Sequence, residues 1–350
     1  MISDRLVSLA RCPGCAGTLR RGPDQVTCGS CGRVVAQGGA FLDLRPRVAF
    51  VEQTKYVDAS LHADARHESV SPPLLSAAVR QRMLVKFLRP APGDRVLDLG
   101  CGSGRVMVWN KPHGAYLAGV DASAFFAAEA RETLDLALGD LRRLPFADGA
   151  FNKAYALDVF EHLSRDALGR VLAEAGRVLE PGGGLFVYSH VRKNSRLALG
   201  LRAINRLARS LERAGLMDLS QERLRKSDHL NPLADLPDLR RLVAEAGFRI
   251  DRIRYYTPLA AGVVENVLMR LVERRLTRRA ERRADHGAGG EARRDAARAA
   301  RAAAKARVAR GGATYALLRA LSWALRLDVA LWGRVPSGPF FALLIKERAR

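Results

Sequence analysis

The fold is decided by the stretch Val96-Leu97-Asp98-Leu99-Gly100-Cys101-Gly102-Ser103-Gly104. Its first four residues form a short, mostly apolar run of the kind found in a buried β-strand. The three glycines at alternate positions allow a tight turn and a close approach of the backbone to a ligand. A helix that begins at Arg105 would direct its free N–H groups toward that ligand. The stretch predicts a strand–turn–helix unit that binds a nucleotide, although a glycine-rich turn alone does not say which one.

Three later apolar runs each end in a carboxylate, namely Asp121, Asp140 and Asp158. Runs that alternate with helical segments are typical of an α/β protein with a parallel sheet. Asp121 follows the glycine turn by about twenty residues, where a carboxylate can accept hydrogen bonds from both hydroxyls of a ribose. The glycines lack the longer final gap of a dinucleotide fingerprint, which leaves open which nucleotide is bound.

Four motifs, taken together and in order, resemble the class I S-adenosylmethionine-dependent methyltransferases, most closely the small-molecule, methyltransferase type 11-like branch. They lie at residues 98–104, 119–121, 139–146 and 158–163. The resemblance implies a Rossmann-like, doubly wound sheet of seven strands. Its seventh strand should be antiparallel, and residues 340–346 are the best candidate for it. The alternative is a doubly wound fold that binds another nucleotide, or none.

The resemblance also implies a set of residues for S-adenosyl-L-methionine. The glycines should lie against the methionine and ribose, with Asp98 bracing the loop. Asp121 should hold the ribose hydroxyls, Asp140 should accept from the adenine amino group, and the Leu141 N–H should donate to the ring. The full cofactor-binding set is Asp98, Gly100, Gly102, Gly104, Asp121, Asp140, Leu141 and Asp158.

Methyl transfer from a sulfonium depends mainly on bringing the acceptor and the methyl group together in line, so a catalytic residue is optional. A hydroxyl acceptor would need a base near the ends of the fourth and fifth strands. The candidates for that catalytic role are His162, His190 and His229. Cys101 lies within the glycine loop, and we interpret it as a small packing residue rather than a nucleophile.

Four cysteines predict a structural zinc site near the N-terminus. They form two Cys-x-x-Cys pairs, Cys12 with Cys15 and Cys28 with Cys31. Two such pairs can close a tetrahedral site with no open position, which has no catalytic role. Residues 1–44 resemble the zinc ribbon found at the front of some bacterial methyltransferases and in a free-standing methyltransferase activator.

The remaining boundaries follow from composition and periodicity. Residues 45–73 are expected to be a linker, and the methyltransferase domain comprises residues 74–256 plus 336–350. Two insertions are predicted: a helical cap at 191–235, and an Arg/Ala-rich helical segment at 257–335 within the last hairpin. The cap carries a stripe of arginines, and the second insertion has a broad apolar face that includes Leu318, Leu321 and Leu325. Such faces suit a membrane surface, but they could equally pack on the domain itself.

The formal charge is +22 over 350 residues, which favours a polyanionic partner or reflects an arginine-rich codon bias. No signal peptide and no run long enough to cross a bilayer are evident, so a cytoplasmic location, peripheral on the inner membrane face, is expected. The sequence thus predicts an enzyme that methylates a small or lipid-linked acceptor. The alternatives are an RNA methyltransferase, acting on tRNA or rRNA, that grips phosphates with its zinc module and basic insertion, and a non-enzymatic scaffold. The intact glycine loop argues against the scaffold.

Overall fold

The computed structural model describes residues 2–37, 39–46, 70–192, 198–215, 229–256, 263–264, 312–336 and 338–348. Most of the predicted linker and the Arg/Ala-rich middle of the last insertion lie outside these residues. No helix within the described residues is both long enough and apolar enough to cross a membrane.

The N-terminal module is a short helix followed by a small antiparallel sheet. Helix α1 (Asp4–Leu9) precedes strands β1 (Leu19–Arg21), β2 (Gln25–Cys28) and β3 (Val34–Gln37), which pair in that order. Ser3 caps the helix, because its hydroxyl accepts a hydrogen bond from the Leu6 N–H at 3.0 Å. The next strand, β4 (Leu42–Asp43), does not join this small sheet. It pairs with a strand of the large sheet instead, and so ties the module to the rest of the chain.

The large sheet contains the predicted seven strands and β4. Its other members are β5 (Arg95–Leu99), β6 (Tyr116–Asp121), β7 (Asp135–Leu138), β8 (Phe151–Leu157), β9 (Leu179–His190), β10 (Phe248–Tyr255) and β11 (Pro339–Lys346). The order across the sheet is β10-β11-β9-β8-β5-β6-β7-β4. Strands β4 to β9 run parallel, and β11 is antiparallel to both of its neighbours. The predicted doubly wound sheet with an antiparallel seventh strand is therefore confirmed.

Further helices lie along the chain, and most of them contact strands of the large sheet. They are α2 (Ser76–Leu88), α3 (Arg105–Asn110), α4 (Ala128–Thr133), α5 (Arg165–Val178), α6 (Ala198–Arg213), α7 (Leu236–Glu245) and α8 (Ala313–Trp332). Helix α5 begins after Ser164, whose hydroxyl accepts from the Ala167 N–H at 3.2 Å, and it buries one apolar face that includes Leu168 and Leu172. A short 3₁₀ turn, Phe160–His162, follows β8 and begins at the edge where the candidate site lies.

The N-terminal module packs directly on the edge of the large sheet. The backbone N–H and the hydroxyl of Ser3 both donate to the buried carboxylate of Asp135, which also accepts from the Tyr116 hydroxyl at 2.7 Å. Leu6 and Leu42 belong to the same buried apolar cluster as the central strands. Because this contact is both polar and apolar, we expect the stability of the module and that of the sheet to be coupled.

Helix α8 has two different faces. Leu325 and Val329 are buried in a cluster with residues of α2, and the Ser322 hydroxyl accepts from the Leu75 N–H at 2.7 Å. Leu318 and Leu321 are half-buried on the same side. Of the two alternatives for the face that includes Leu318, Leu321 and Leu325, packing on the domain is therefore the one observed for Leu325. The opposite face exposes Trp323, Leu327 and Leu331.

Candidate active site

The glycine loop joins β5 to α3 with three residues in left-handed backbone conformations. The φ angles of Gly100, Gly102 and Gly104 are 75°, 53° and 76°. A Cβ at Gly100 would lie 2.7 Å from Cγ2 of Val159, so the turn after β8 packs directly against the loop. A Cβ at Gly102 would meet no described atom within 4 Å. The loop is therefore packed on one side and open at its tip, as a close approach to a ligand requires.

Asp121, at the end of β6, holds the tip of this loop. One carboxylate oxygen accepts from the Gly102 N–H at 2.8 Å, and the other accepts from the Ser123 N–H at 3.0 Å. Both bonds come from backbone groups, so they fix the carboxylate in place beside the open side of Gly102. An ionised carboxylate has about four acceptor positions, which leaves capacity for two ribose hydroxyls.

Asp98 lies beneath the loop and is 4% exposed. Burial raises its pKa to about 8, against the lowering effect of the Tyr155 hydroxyl, and the nearby Asp121 carboxylate adds to the rise. Burial likewise raises the pKa of the neighbouring Cys101 thiol, and the Asp121 and Asp98 carboxylates raise it further. A thiol that stays protonated is a poor nucleophile, which agrees with the interpretation of Cys101 as a packing residue.

Two of the sequence-predicted carboxylates have arginine partners. Both oxygens of Asp140 face the Arg142 guanidinium, with Nη2 to Oδ2 at 2.8 Å. Asp158 has a φ of 56° and forms an ion pair with Arg80 of α2. An adenine amino group would have to share Asp140 with this arginine, so its role remains a prediction. Leu141 lies close to the loop, 3.8 Å from the position of a Cβ on Gly100.

The three candidate histidines meet at the carboxyl ends of β8 and β9. The imidazoles of His162 and His229 contact edge to face with centroids 4.7 Å apart, and those of His190 and His229 are 6.4 Å apart. Glu161 lies among them, 1% exposed, with Oε1 3.6 Å from Nδ1 of His190. Burial would raise the pKa of Glu161, but the His190 and His162 imidazoles outweigh it and lower the pKa, so the carboxylate stays ionised.

Sequence reasoning missed two features of this site. Glu161 stands beside His162 in a motif that was already recognised, so its position could have been noticed. Arg80 gave no sequence signal, because it lies outside all four motifs that indicate the cofactor site. In the structure its guanidinium lies 4.8 Å from the centroid of the Tyr188 ring, where a cation–π contact adds to the ion pair with Asp158.

The four N-terminal cysteines form a cluster with the dimensions of a metal site. Their sulfur atoms all lie within 4.8 Å of one another, with Cys12 to Cys31 at 3.7 Å and Cys15 to Cys28 at 3.5 Å. A tetrahedral ion with metal–sulfur bonds of about 2.3 Å would place its sulfurs about 3.8 Å apart. Backbone N–H groups of Cys31 and Ser30 lower the pKa of Cys28 to about 6, whereas the other three thiols outweigh the backbone bond from Gly17 and raise the pKa of Cys15. The residues therefore fit a zinc ion.

Comparison with known proteins agrees with this architecture. Residues 96–183 match a family described as "Methyltransferase domain". Methyltransferase GfsG of Streptomyces halstedii is 32% identical over 127 residues, which are 33% of this chain and 45% of that protein. Sterol 4-C-methyltransferase strm-1 of Caenorhabditis elegans is 33% identical over 107 residues, which are 28% of this chain and 31% of that protein. The chain thus spans less than half the length of these relatives.

One solved structure has the same fold over most of the chain. Phosphoethanolamine N-methyltransferase 2 of Haemonchus contortus, in complex with S-adenosyl-L-methionine, aligns with a TM-score of 0.51 at 17% identity. The alignment covers 85% of this chain and 59% of that one. The strand order, the open glycine loop and the sequence matches all agree. The chain therefore contains a methyltransferase domain of the class I S-adenosylmethionine-dependent family.

Proposed function

We propose that this protein transfers a methyl group from S-adenosyl-L-methionine to a small or lipid-linked acceptor. The proposal rests on one edge of the sheet, where the glycine loop and Asp121 lie beside Glu161 and the three candidate histidines. We call these four residues the Glu161 cluster. The bound cofactor supplies a sulfonium methyl group, which bonds to the acceptor as its bond to sulfur breaks and the electron pair stays on sulfur.

The residues of the chain bind the cofactor and orient it toward the acceptor. Gly102 presents open backbone to the cofactor, and Asp121 accepts from its ribose hydroxyls. Asp140 and Leu141 lie at the end of the next strand, where they meet the adenine, with Arg142 sharing the Asp140 carboxylate. The ion pair of Arg80 and Asp158 lies at the carboxyl end of β8, at the same edge of the sheet. When the acceptor is a hydroxyl, a neighbouring imidazole of His162, His190 or His229 takes its proton.

A lipid-like acceptor is favoured over nucleic acid by two observations. One relative, 33% identical over 107 residues, is named as a sterol methyltransferase. The exposed stripe of α8, formed by Trp323, Leu327 and Leu331, offers apolar area that phosphate binding does not require.

The stripe on α8 also suggests peripheral attachment to an anionic membrane. Residues four apart share a helix face, so Trp323, Leu327 and Leu331 are neighbours. Arg319 and Arg326 lie along the border between this stripe and the packed face. Burial lowers the pKa of Arg326, and the positive charges of Arg82 and Arg319 lower it further. The guanidiniums of Arg319 and Arg326, beside exposed tryptophan and leucine side chains, are suited to an anionic headgroup layer.

The N-terminal cysteines are proposed to hold one structural zinc ion. The tetrahedral spacing of the sulfur atoms supports this assignment, and all four protein ligands leave no position for a substrate. The metal would stabilise a small sheet whose own apolar core is slight.

The test of the function is transfer of radioactive methyl from labelled cofactor into lipid, small-molecule and RNA extracts by the full chain. Label in the lipid or small-molecule fraction that disappears with Asp121→Ala is expected. Label confined to RNA would contradict the proposed acceptor class and favour a tRNA or rRNA methyltransferase. No transfer to any fraction, with intact cofactor binding, would contradict the enzyme.

A further inference from the structure

The Glu161 cluster has a feature that the proposed methyl transfer does not require. One ligand-capable atom from each of Glu161, His162 and His229 lies within 4.8 Å of the other two. The residues come from two separate segments, the 3₁₀ turn after β8 and the last part of the predicted cap insertion, which follows α6 in the chain. Such convergence places one carboxylate and two imidazoles around a single point at the edge where the acceptor binds.

The chemistry of this ligand set is specific. Two imidazoles and one carboxylate suit divalent transition metals such as Zn²⁺, Mn²⁺ or Fe²⁺, whereas Mg²⁺ and Ca²⁺ prefer oxygen ligands alone. Three protein ligands leave at least one coordination position open. The cysteine site differs in both respects, because it is all sulfur and closed.

The surroundings of Glu161 hold it in position for such a role. The Ser189 hydroxyl donates to Oε2 at 3.1 Å, and this contact is buried. The backbone N–H groups of Leu230 and Asn231 donate to the carbonyl oxygen of Glu161 at 2.8 and 3.0 Å. These last bonds fix the segment that carries His229 against the turn that carries Glu161 and His162. Outer contacts of this kind orient the ligands in metal sites.

The Glu161 cluster lies close to the glycine loop that binds the cofactor. Val159, two residues before Glu161, packs on Gly100 of the glycine loop. An ion held by the cluster would therefore lie beside the bound cofactor. An acceptor oxygen in its open position would be brought toward the methyl group.

We propose that Glu161, His162 and His229 bind a divalent transition-metal ion that holds and activates a hydroxyl acceptor. This inference rests on the proposed methyl transfer and names its acceptor atom as oxygen. The hydroxyl of the acceptor would give up its proton to solvent water. The acceptor oxygen then forms its bond to the methyl carbon as the carbon–sulfur bond breaks, and the electron pair remains on sulfur.

The test measures metal binding by the full chain without reference to turnover. The protein is dialysed against Mn²⁺ or Zn²⁺, freed of loose metal, and analysed by mass spectrometry for bound ions. Wild type should hold one ion beyond the cysteine site, and His229→Ala should lose that ion while keeping the other. His229 is only partly buried, so this change should leave the fold intact, which a thermal unfolding curve checks. His113→Ala, on the 3₁₀ turn after α3, is the matched control and should keep both ions.

Cobalt(II) substitution gives a second readout. Wild type should show thiolate-to-metal absorption from the cysteine site together with ligand-field bands from the histidine site. In His229→Ala, only the ligand-field bands should disappear. In Glu161→Gln, the affinity of the histidine site for cobalt should fall by about tenfold or more. A wild-type protein that binds metal at the cysteines alone overturns the proposal. Calorimetry with S-adenosyl-L-methionine separates the two failures, because cofactor binding without the additional ion refutes only the metal site.

Discussion

The Asp121 carboxylate accepts a hydrogen bond from the Gly102 N–H at 2.8 Å, and this bond ties the end of β6 to the tip of the glycine loop. The same carboxylate is the predicted partner of the ribose hydroxyls. Its loss would therefore remove ligand contacts and release the loop that cradles the ligand. Both effects should lower the affinity for the cofactor.

Asp121→Ala should weaken S-adenosyl-L-methionine binding by roughly tenfold to a hundredfold, since hydrogen bonds to a charged group contribute about 1.5–3 kcal/mol. Isothermal calorimetry on the full chain measures this change. Glu132→Ala, an exposed acid on α4, is the control and should bind normally. Wild-type affinity in Asp121→Ala would refute the cofactor assignment.

Asp98 should make the ligand-free protein less stable as the pH rises. Its folded pKa is raised to about 8, so the folded state holds a proton that the unfolded state releases near pH 4. The stability cost therefore grows from about pH 4 to pH 8. Asp98→Asn should stabilise the protein by a few kcal/mol at pH 8 and by less at pH 5. Urea unfolding at the two pH values measures the difference, and an equal effect at both would contradict it.

The parts of the fold that could be predicted are those with a continuous sequence pattern. Strands β5 to β8 are largely buried, so each contains a short, mostly apolar run that is visible in the sequence. Strand β4 is only Leu42–Asp43, too short for any periodicity, and its partner β7 is distant in sequence. Its place in the large sheet therefore depends on packing that a local pattern does not contain.

The sequence offers the three candidate histidines one by one, but it does not indicate that they meet, and it did not single out Glu161. His162, His190 and His229 were each identifiable from a motif or a strand end. Their meeting around Glu161 depends on backbone bonds from Leu230 and Asn231 across a long stretch of chain. Helix α8 posed a similar problem, because it is apolar on most sides. Only its packing on α2 shows which leucines are buried and which are exposed.

Metal loss at the cysteines should destabilise the methyltransferase domain as well as the N-terminal module. The reason is that Ser3 bonds to Asp135 and β4 pairs with β7, so the module braces the sheet edge. Cys15→Ser should lose the zinc ion and lower the melting temperature by several degrees, while cofactor binding persists. Elemental analysis and calorimetric melting test this. Cys101→Ala, outside the cluster, should retain the ion.

An unchanged melting temperature in zinc-free Cys15→Ser would show that the module and the sheet are energetically independent. Normal zinc content in that variant would contradict the four-cysteine site itself. The two results are separable because metal content and unfolding are measured on the same sample.

The exposed stripe of α8 should bind anionic membranes. Trp323 and Leu331 are each 64% exposed, so burying them in a lipid interface removes apolar area from water. Each nearby arginine contributes on the order of 1 kcal/mol at an anionic surface. The full chain should sediment with vesicles that contain phosphatidylserine, and less so at high salt. Joint replacement of Trp323, Leu327 and Leu331 by Ser should reduce binding without changing the charge.

The controls for this prediction separate apolar contact from charge. Val34→Ser removes another exposed apolar side chain, 47% exposed, from the N-terminal sheet and should bind vesicles as wild type does. Arg319→Gln should reduce binding and also weaken its salt dependence, because one attraction to the headgroups is lost. If binding depended on the phosphate groups alone, Arg319→Gln would reduce it and the three Ser replacements would leave it unchanged. If the wild-type protein does not bind these vesicles at low salt but retards RNA in a gel, the membrane hypothesis is wrong and the RNA alternative is favoured.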